Sequence, residues 1–192
     1  WITVLDLESG WEFATLGGSL GPTAALAFSA DGAVLASANE NIVTLWDLSD
    51  GSEITVLGAD PWHTVTWVAF SPRNDLLAAV VDDAAIAVWD LESEALRALL
   101  SRKDEAVKQI AFSADGRFLA SLGSGPTITL WDLAAQPKYR SLPSPSGAPM
   151  TGLAFSTVGP TLAGADEDGT VTLWNTDTGE QTVLTAHVDL IK

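Results

Sequence analysis

Val43-Thr44-Leu45-Trp46-Asp47 returns three times along the chain, as Ile86-Ala87-Val88-Trp89-Asp90, Ile128-Thr129-Leu130-Trp131-Asp132 and Val171-Thr172-Leu173-Trp174-Asn175. The Trp residues are 43, 42 and 43 positions apart. A second marker keeps the same beat: Phe28, Phe70, Phe112 and Phe155, spaced 42, 42 and 43. Two independent markers in one register define an internal repeat, and its period governs how every other segment is read.

Within each repeat the register separates four short strands, called a to d from the inner to the outer side. Strand a is the apolar run that ends at the Phe, such as Leu26-Ala27-Phe28-Ser29 and Ile110-Ala111-Phe112-Ser113. Turn residues follow at once: Ala30-Asp31-Gly32, Pro72-Arg73-Asn74, Ala114-Asp115-Gly116 and Thr157-Val158-Gly159. Asp-Gly and Pro-x-Asn between apolar runs are hairpin signals. Strand b is small and apolar (Leu35-Ala36-Ser37, Leu77-Ala78-Ala79, Leu119-Ala120-Ser121, Leu162-Ala163-Gly164), which suits a strand sandwiched between sheets. Strand c carries the Trp. Strand d, for example Lys138-Tyr139-Arg140-Ser141-Leu142, is more polar, as an edge strand should be. Residues 92–108 have a helix-compatible composition, but the register makes them strand d and its connection. The Pro- and Ser-rich stretch 141–149 is a loop, because the repeat continues on both sides of it.

A period of 40 to 45 residues built this way is that of β-propeller blades. The expected architecture is all-β: a half blade at 1–18, complete blades at about 19–59, 60–101, 102–145 and 146–185, and the start of another at 186–192. Ile2-Thr3-Val4-Leu5-Asp6-Leu7 matches strand c with Leu5 in the Trp place, and Glu12 to Leu16 matches strand d. Four and a half blades do not close a typical ring without strain, and terminal repeats need caps or closure. The chain is therefore expected to be part of a longer propeller, or to complete one with another chain.

The pattern resembles the WD-repeat β-propeller family over nearly the whole chain. In that family a His before strand a, a Ser or Thr on strand b, an Asp in the b–c turn and the strand-c Trp form a structural hydrogen-bond network. The resemblance implies structural roles for Trp46, Asp47, Trp89, Asp90, Trp131, Asp132 and Trp174. The network is only partly kept. Its Asp place is filled at Asp83 and Asp168, its Ser place at Ser37 and Ser121, and its His place only at His187. Apolar packing between blades is expected to carry more of the stability than in other members.

Composition narrows the function. The formal net charge is −16, with 9 basic residues against 25 acidic ones. Nucleic-acid phosphates call for Lys and Arg, so nucleic acid is not an expected partner. No apolar run approaches the roughly 18 residues of a membrane span, so no membrane partner is expected either. There is no cysteine, hence no disulfide or thiolate chemistry. With no signal peptide visible, the expected setting is the cytoplasm. The charge is uneven. Residues 1–60 hold nine acids and no Lys or Arg, while residues 97–140 hold seven basic residues against four acids.

Catalysis finds little support. The two His residues, His63 and His187, are far apart, and there is no nucleophile elbow or phosphate-binding Gly loop. No metal or cofactor is expected. The carboxylate clusters lack the alternating ligands of a hard-cation loop. The function read from the residues is a rigid scaffold or sensor module that presents loop residues on one face to a protein or peptide. That partner could also be another copy or the rest of a longer chain. The candidate surface comprises Trp62, His63, Asp82, Asp83, Arg102, Lys103, Lys108, Asp166 and Glu167, all in d–a connections or b–c turns. Two alternatives are a propeller-based enzyme with acidic residues at the ring mouth and a purely structural oligomerisation unit.

Overall fold

The computed structural model describes residues 1–17, 22–58, 64–102, 106–134 and 138–184. Among these residues there are eighteen strands and no helix. A two-stranded antiparallel sheet, β1 (Ile2–Leu5) and β2 (Glu12–Leu16), comes first. Four antiparallel four-stranded sheets follow, each made of consecutive strands. Blade 1 is β3 (Thr23–Phe28), β4 (Val34–Asn39), β5 (Ile42–Asp47) and β6 (Glu53–Gly58). Blade 2 is β7 (Val65–Phe70), β8 (Leu76–Val81), β9 (Ala85–Asp90) and β10 (Ala95–Ser101). Blade 3 is β11 (Gln109–Phe112), β12 (Phe118–Leu122), β13 (Thr127–Asp132) and β14 (Lys138–Pro143). Blade 4 is β15 (Met150–Phe155), β16 (Thr161–Asp166), β17 (Val171–Asn175) and β18 (Gln181–Leu184). Within the stretch of helix-compatible composition, Ala95–Ser101 form β10, the strand d that the register requires. First strands of successive blades touch, β3 with β7, β7 with β11 and β11 with β15, so these strands line the inner side of the arc.

The local chemistry repeats with the sequence. In the a–b hairpins one position takes a left-handed backbone in all four blades: Gly32 (φ 72°), Asn74 (φ 57°), Gly116 (φ 69°) and Gly159 (φ 76°). Gly and Asn are the residues that adopt this conformation at least cost. The residue after each strand-c Trp closes the c–d turn through one side-chain oxygen. The Asp47 carboxylate accepts from the Ser49 N–H at 2.7 Å and the Asp90 carboxylate from Ser93. Asn175 Oδ1 does the same for the N–H groups of Asp177 and Thr178. Only an acceptor oxygen is needed, so the change from Trp-Asp to Trp-Asn leaves the turn intact.

The core lies between the blades. Trp46 packs with Ile2 and Leu16 of the half blade, and Trp89 lies among residues of blades 1 and 2. Trp131 seals blades 2 and 3, and Trp174 seals blades 3 and 4. Two Trp residues are also pinned through polar groups. Trp46 Nε1 donates to Ser37 Oγ and Trp131 Nε1 to Ser121 Oγ, both at 2.9 Å. In blade 4 the strand-b position is Gly164, and the absent side chain makes room for packing. A Cβ there would stand 2.5 Å from Met150 Cε, 2.6 Å from Ile128 Cδ1 and 2.7 Å from the Trp174 ring. Gly164→Ser, which would place a hydroxyl where blades 1 and 3 carry one, is therefore expected to lower stability by about 1–3 kcal/mol through overpacking. Chemical denaturation of the variant checks this, and a gain in stability would contradict it.

Among the described residues, two faces of the array have no sheet packed against them. On the side of each blade that meets the next one, Ala36 and Ala38 in blade 1, and Ala78 and Val80 in blade 2, are fully covered. Their counterparts in blade 4, Ala163 and Ala165, are partly exposed, and an open apolar hollow runs over them to Val171. At the other end, Leu26 and Phe28 of blade 1 are 51% and 57% exposed, because the half blade has no inner strands to cover them.

Candidate functional site

Among the described residues, the starts of blades 2, 3 and 4 and the b–c turns share one side of the array, and backbone hydrogen bonds stitch them together. The Val65 N–H donates to the Glu40 carbonyl at 2.6 Å, Val107 to Asp83 at 2.6 Å and Met150 to Gly125 at 3.0 Å. In each case the first residues of one blade bond the b–c turn of the blade before it. This is a repeating latch that fixes loops of neighbouring blades relative to each other.

Asp82 and Asp83 occupy the centre of the β8–β9 turn. Both have positive φ, 51° and 53°, and the Ala84 N–H closes the turn on the Val81 carbonyl at 3.1 Å. This is the geometry of a tight hairpin turn with two left-handed residues, which Asp tolerates better than most side chains. The Asp82 carboxylate accepts the Thr64 N–H at 2.7 Å, and Asp83 accepts the Thr66 hydroxyl at 2.8 Å. Both residues remain exposed. Lys108 is exposed beside them, since its neighbour Val107 is the residue bonded to the Asp83 carbonyl.

Asp166 requires a correction. The sequence places it with Glu167 on the partner-facing surface, yet it is 1% exposed. Its Oδ2 accepts the hydroxyls of Ser144 at 2.5 Å and Ser146 at 2.8 Å. Its Oδ1 accepts the N–H groups of Asp168 at 3.1 Å and Thr170 at 2.9 Å. Burial alone would raise its pKa. The two hydroxyls and two backbone N–H groups outweigh burial and hold it below the ordinary carboxylate value. The polar pin of blade 4 is thus Asp166, while Asp168, expected in that role, is exposed and lends the turn its N–H. Ser144 and Ser146 stand in the connection before strand a, where the family network carries a His. The Ser-Pro-Ser run was the available signal, and it has no counterpart in the other blades. Glu167 is exposed two blades away from the Asp82–Asp83 turn.

Arg102 lies elsewhere than expected. Its Nη1 donates to Thr129 Oγ1 at 3.1 Å and its guanidinium lies 5.1 Å from the centre of the Tyr139 ring. It is half-buried against blade 3. Trp62, His63, Lys103 and His187 lie outside the described residues.

The comparisons with known proteins agree with this geometry. The family described as "Anaphase-promoting complex subunit 4 WD40 domain" matches residues 68–146, and "WD domain, G-beta repeat" matches residues 137–175. Together the matches span more than half of the chain. Transducin beta-like protein 3 of Rattus norvegicus is 30% identical over 125 residues, covering 64% of this chain and 16% of its own length. Nuclear distribution protein PAC1 of Arthroderma benhamiae is 32% identical over 114 residues, covering 54% of this chain and 24% of its own. Apoptotic protease-activating factor 1 of Danio rerio is 29% identical over 105 residues, covering 55% of this chain and 8% of its own. The chain belongs to the WD-repeat family, whose members serve in general as protein-interaction scaffolds rather than enzymes. It spans a small part of the length of the relatives it matches.

Proposed function

We propose that the side of the array formed by the d–a connections and b–c turns is the surface that this scaffold offers to a protein or peptide partner. The latch from each blade start to the preceding b–c turn carries the reading. It fixes the described starts of blades 2, 3 and 4 against the b–c turns before them, so little entropy of these turns is lost on binding. Exposed Asp82, Asp83, Lys108 and Glu167 stand on this side, and the sequence adds Trp62, His63 and Lys103 to it. Loops on a rigid framework are where such folds carry recognition. Photo-cross-linking tests the reading. A cross-linking residue in place of Lys108 should capture a partner protein. The same residue in place of Val158, exposed in an a–b turn on the opposite side, should not. Trp62→Ala should reduce capture at position 108 without altering the fold. Equal capture at both positions would rule the reading out.

The bare side of blade 4 favours a second reading, in which further blades complete the array, in the same longer chain or in another copy. Light scattering over a concentration series separates these. A mass that rises towards a dimer supports pairing between copies, and a constant monomer mass excludes it for this chain.

A further inference from the structure

We propose that the outer edge of blade 3, with the cleft it forms against blade 4, binds an extended acidic segment of a protein partner. This surface is separate from the loop side described above and does not depend on that reading. The cleft has a volume of about 200 Å³. Arg117, Lys138 and Arg140 enter it from blade 3, and Thr176 and Asp177 close it from blade 4. Three of the chain's 9 basic residues thus converge on one cleft against two carboxylates, Asp132 and Asp177, which leaves it one net positive charge in a chain of net charge −16.

The repeat supplies its own controls. The Arg117 carbonyl accepts the Leu133 N–H, and the same bond marks Ala33, Asp75 and Pro160 as the equivalent positions. Lys138 faces Asp132 across the sheet, where blade 2 has Ala95, and Ser52 and Glu180 close the same c–d turn in blades 1 and 4. Arg140 faces Leu130, where blades 1 and 4 have Thr55 and Thr182, and blade 2 has Arg97 beside its bulge. No other blade carries a cation at more than one of these positions. The blade fold therefore does not require the set.

Two of the three cations have structural work. Arg140 donates to the Thr176 carbonyl, as Arg97 donates to the Leu133 carbonyl at 2.9 Å one blade earlier. Arg117 bridges Asp132 at 3.1 Å and Asp177 at 3.5 Å, and its guanidinium lies 4.6 Å from the centre of the Phe118 ring. The Lys138 ammonium has no hydrogen-bond or ion-pair partner among the described residues, and the side chain is exposed. Beside it, Tyr139 is 55% exposed, with its ring centre 5.3 Å from that of Trp131 and 5.1 Å from the Arg102 guanidinium. Lys138 and Tyr139 are neighbours on β14, an outer strand whose far edge pairs with no other described strand. A segment laid along β14 would alternate its side chains, sending a carboxylate to Lys138 and an apolar group to Tyr139. At about 0.15 M salt, screening over roughly 8 Å limits the attraction to the cations of this edge. A short acidic segment meets these cations alone, whereas a nucleic acid would also run over the acidic remainder.

Anisotropy of a fluorescein-labelled peptide of four Glu-Val repeats, titrated with the 192-residue chain at about 0.15 M salt, tests the proposal. Binding is expected, and it should weaken as salt is added. Lys138→Glu should cut affinity by about tenfold or more, and Lys138→Gln by less. Arg73→Glu makes the same change in net charge at the Arg73–Asp75 pair in another blade, and should leave affinity nearly unchanged. Circular dichroism should match the parent in every variant, because the substituted side chains are exposed. No binding by the parent chain, equal losses in Lys138→Glu and Arg73→Glu, or binding of a labelled oligothymidylate that displaces the peptide would each overturn the proposal.

Discussion

Asp166→Ala is expected to lower the stability of the fold by about 3 kcal/mol, the range for removing a buried carboxylate whose donors are then left unsatisfied. Ser144 is buried, and its hydroxyl would lose its carboxylate acceptor. The Ser146 hydroxyl and the N–H groups of Asp168 and Thr170 would lose theirs as well. Ser144→Ala and Ser146→Ala each remove one donor and should each cost about 1 kcal/mol. Asp166→Asn keeps an acceptor oxygen but loses the charge, so it should fall between. Urea unfolding midpoints rank the four variants. An Asp166→Ala protein as stable as Ser146→Ala would show that the carboxylate does not organise the turn. The pH dependence carries a sign. The folded-state pKa of Asp166 lies below the ordinary value of 3.8, so the unfolded chain takes up the proton first. The stabilisation is complete above that value and is lost as pH falls through the folded pKa. Asp31 and Asp115 act in the same direction, each lowered chiefly by the hydroxyl of the Ser two residues earlier. The parent chain should therefore lose stability below about pH 4, and Asp166→Ala should lose less over the same interval.

The propeller was legible because its signals are redundant. Strand-c Trp, strand-a Phe, hairpin Asp-Gly and the small strand-b residues all repeat, and any two of them give the register. The candidate site has no such redundancy. Asp168 stood in the position the family pattern assigns to the pinning carboxylate. The carboxylate used is Asp166, because the Ser144–Ser146 turn delivers its hydroxyls two residues earlier. That choice depends on the path of a single connection, which has no periodicity. Arg102 departs from the expected loop surface for a related reason. β10 runs on to Ser101, and this carries Arg102 against Thr129 and Tyr139 of the next blade. The uneven charge between residues 97 and 140 was visible in the sequence. Its division into Arg97 and Arg140 as braces between blades and Lys138 as an exposed cation followed only from the contacts.

Trp89→Ala should do more than destabilise: it should break the cooperativity of the array. Trp89 is 2% exposed and packs with Val43, Leu45 and Leu57 of blade 1 and with Val65 and Val68 of its own blade. Truncating a buried Trp costs about 3–5 kcal/mol. In a repeat protein that loss falls mainly on one interface, because each unit touches only its neighbours. The half blade and blade 1 would then unfold apart from blades 2 to 4. Urea unfolding followed by circular dichroism and by Trp fluorescence should give two non-coincident transitions, where the parent gives one. Trp174→Ala removes a residue of similar burial from the last interface, so it should loosen blade 4 alone and leave the main transition close to its parent midpoint. Trp46→Phe is the polar counterpart. It keeps most of the ring but leaves the buried Ser37 hydroxyl without its Nε1 donor, and should cost about 1–2 kcal/mol. If Trp89→Ala and Trp174→Ala shift the same single transition by the same amount, stability is not partitioned by interface. The Trp repeat would then mark the units of the sequence without marking the units that unfold.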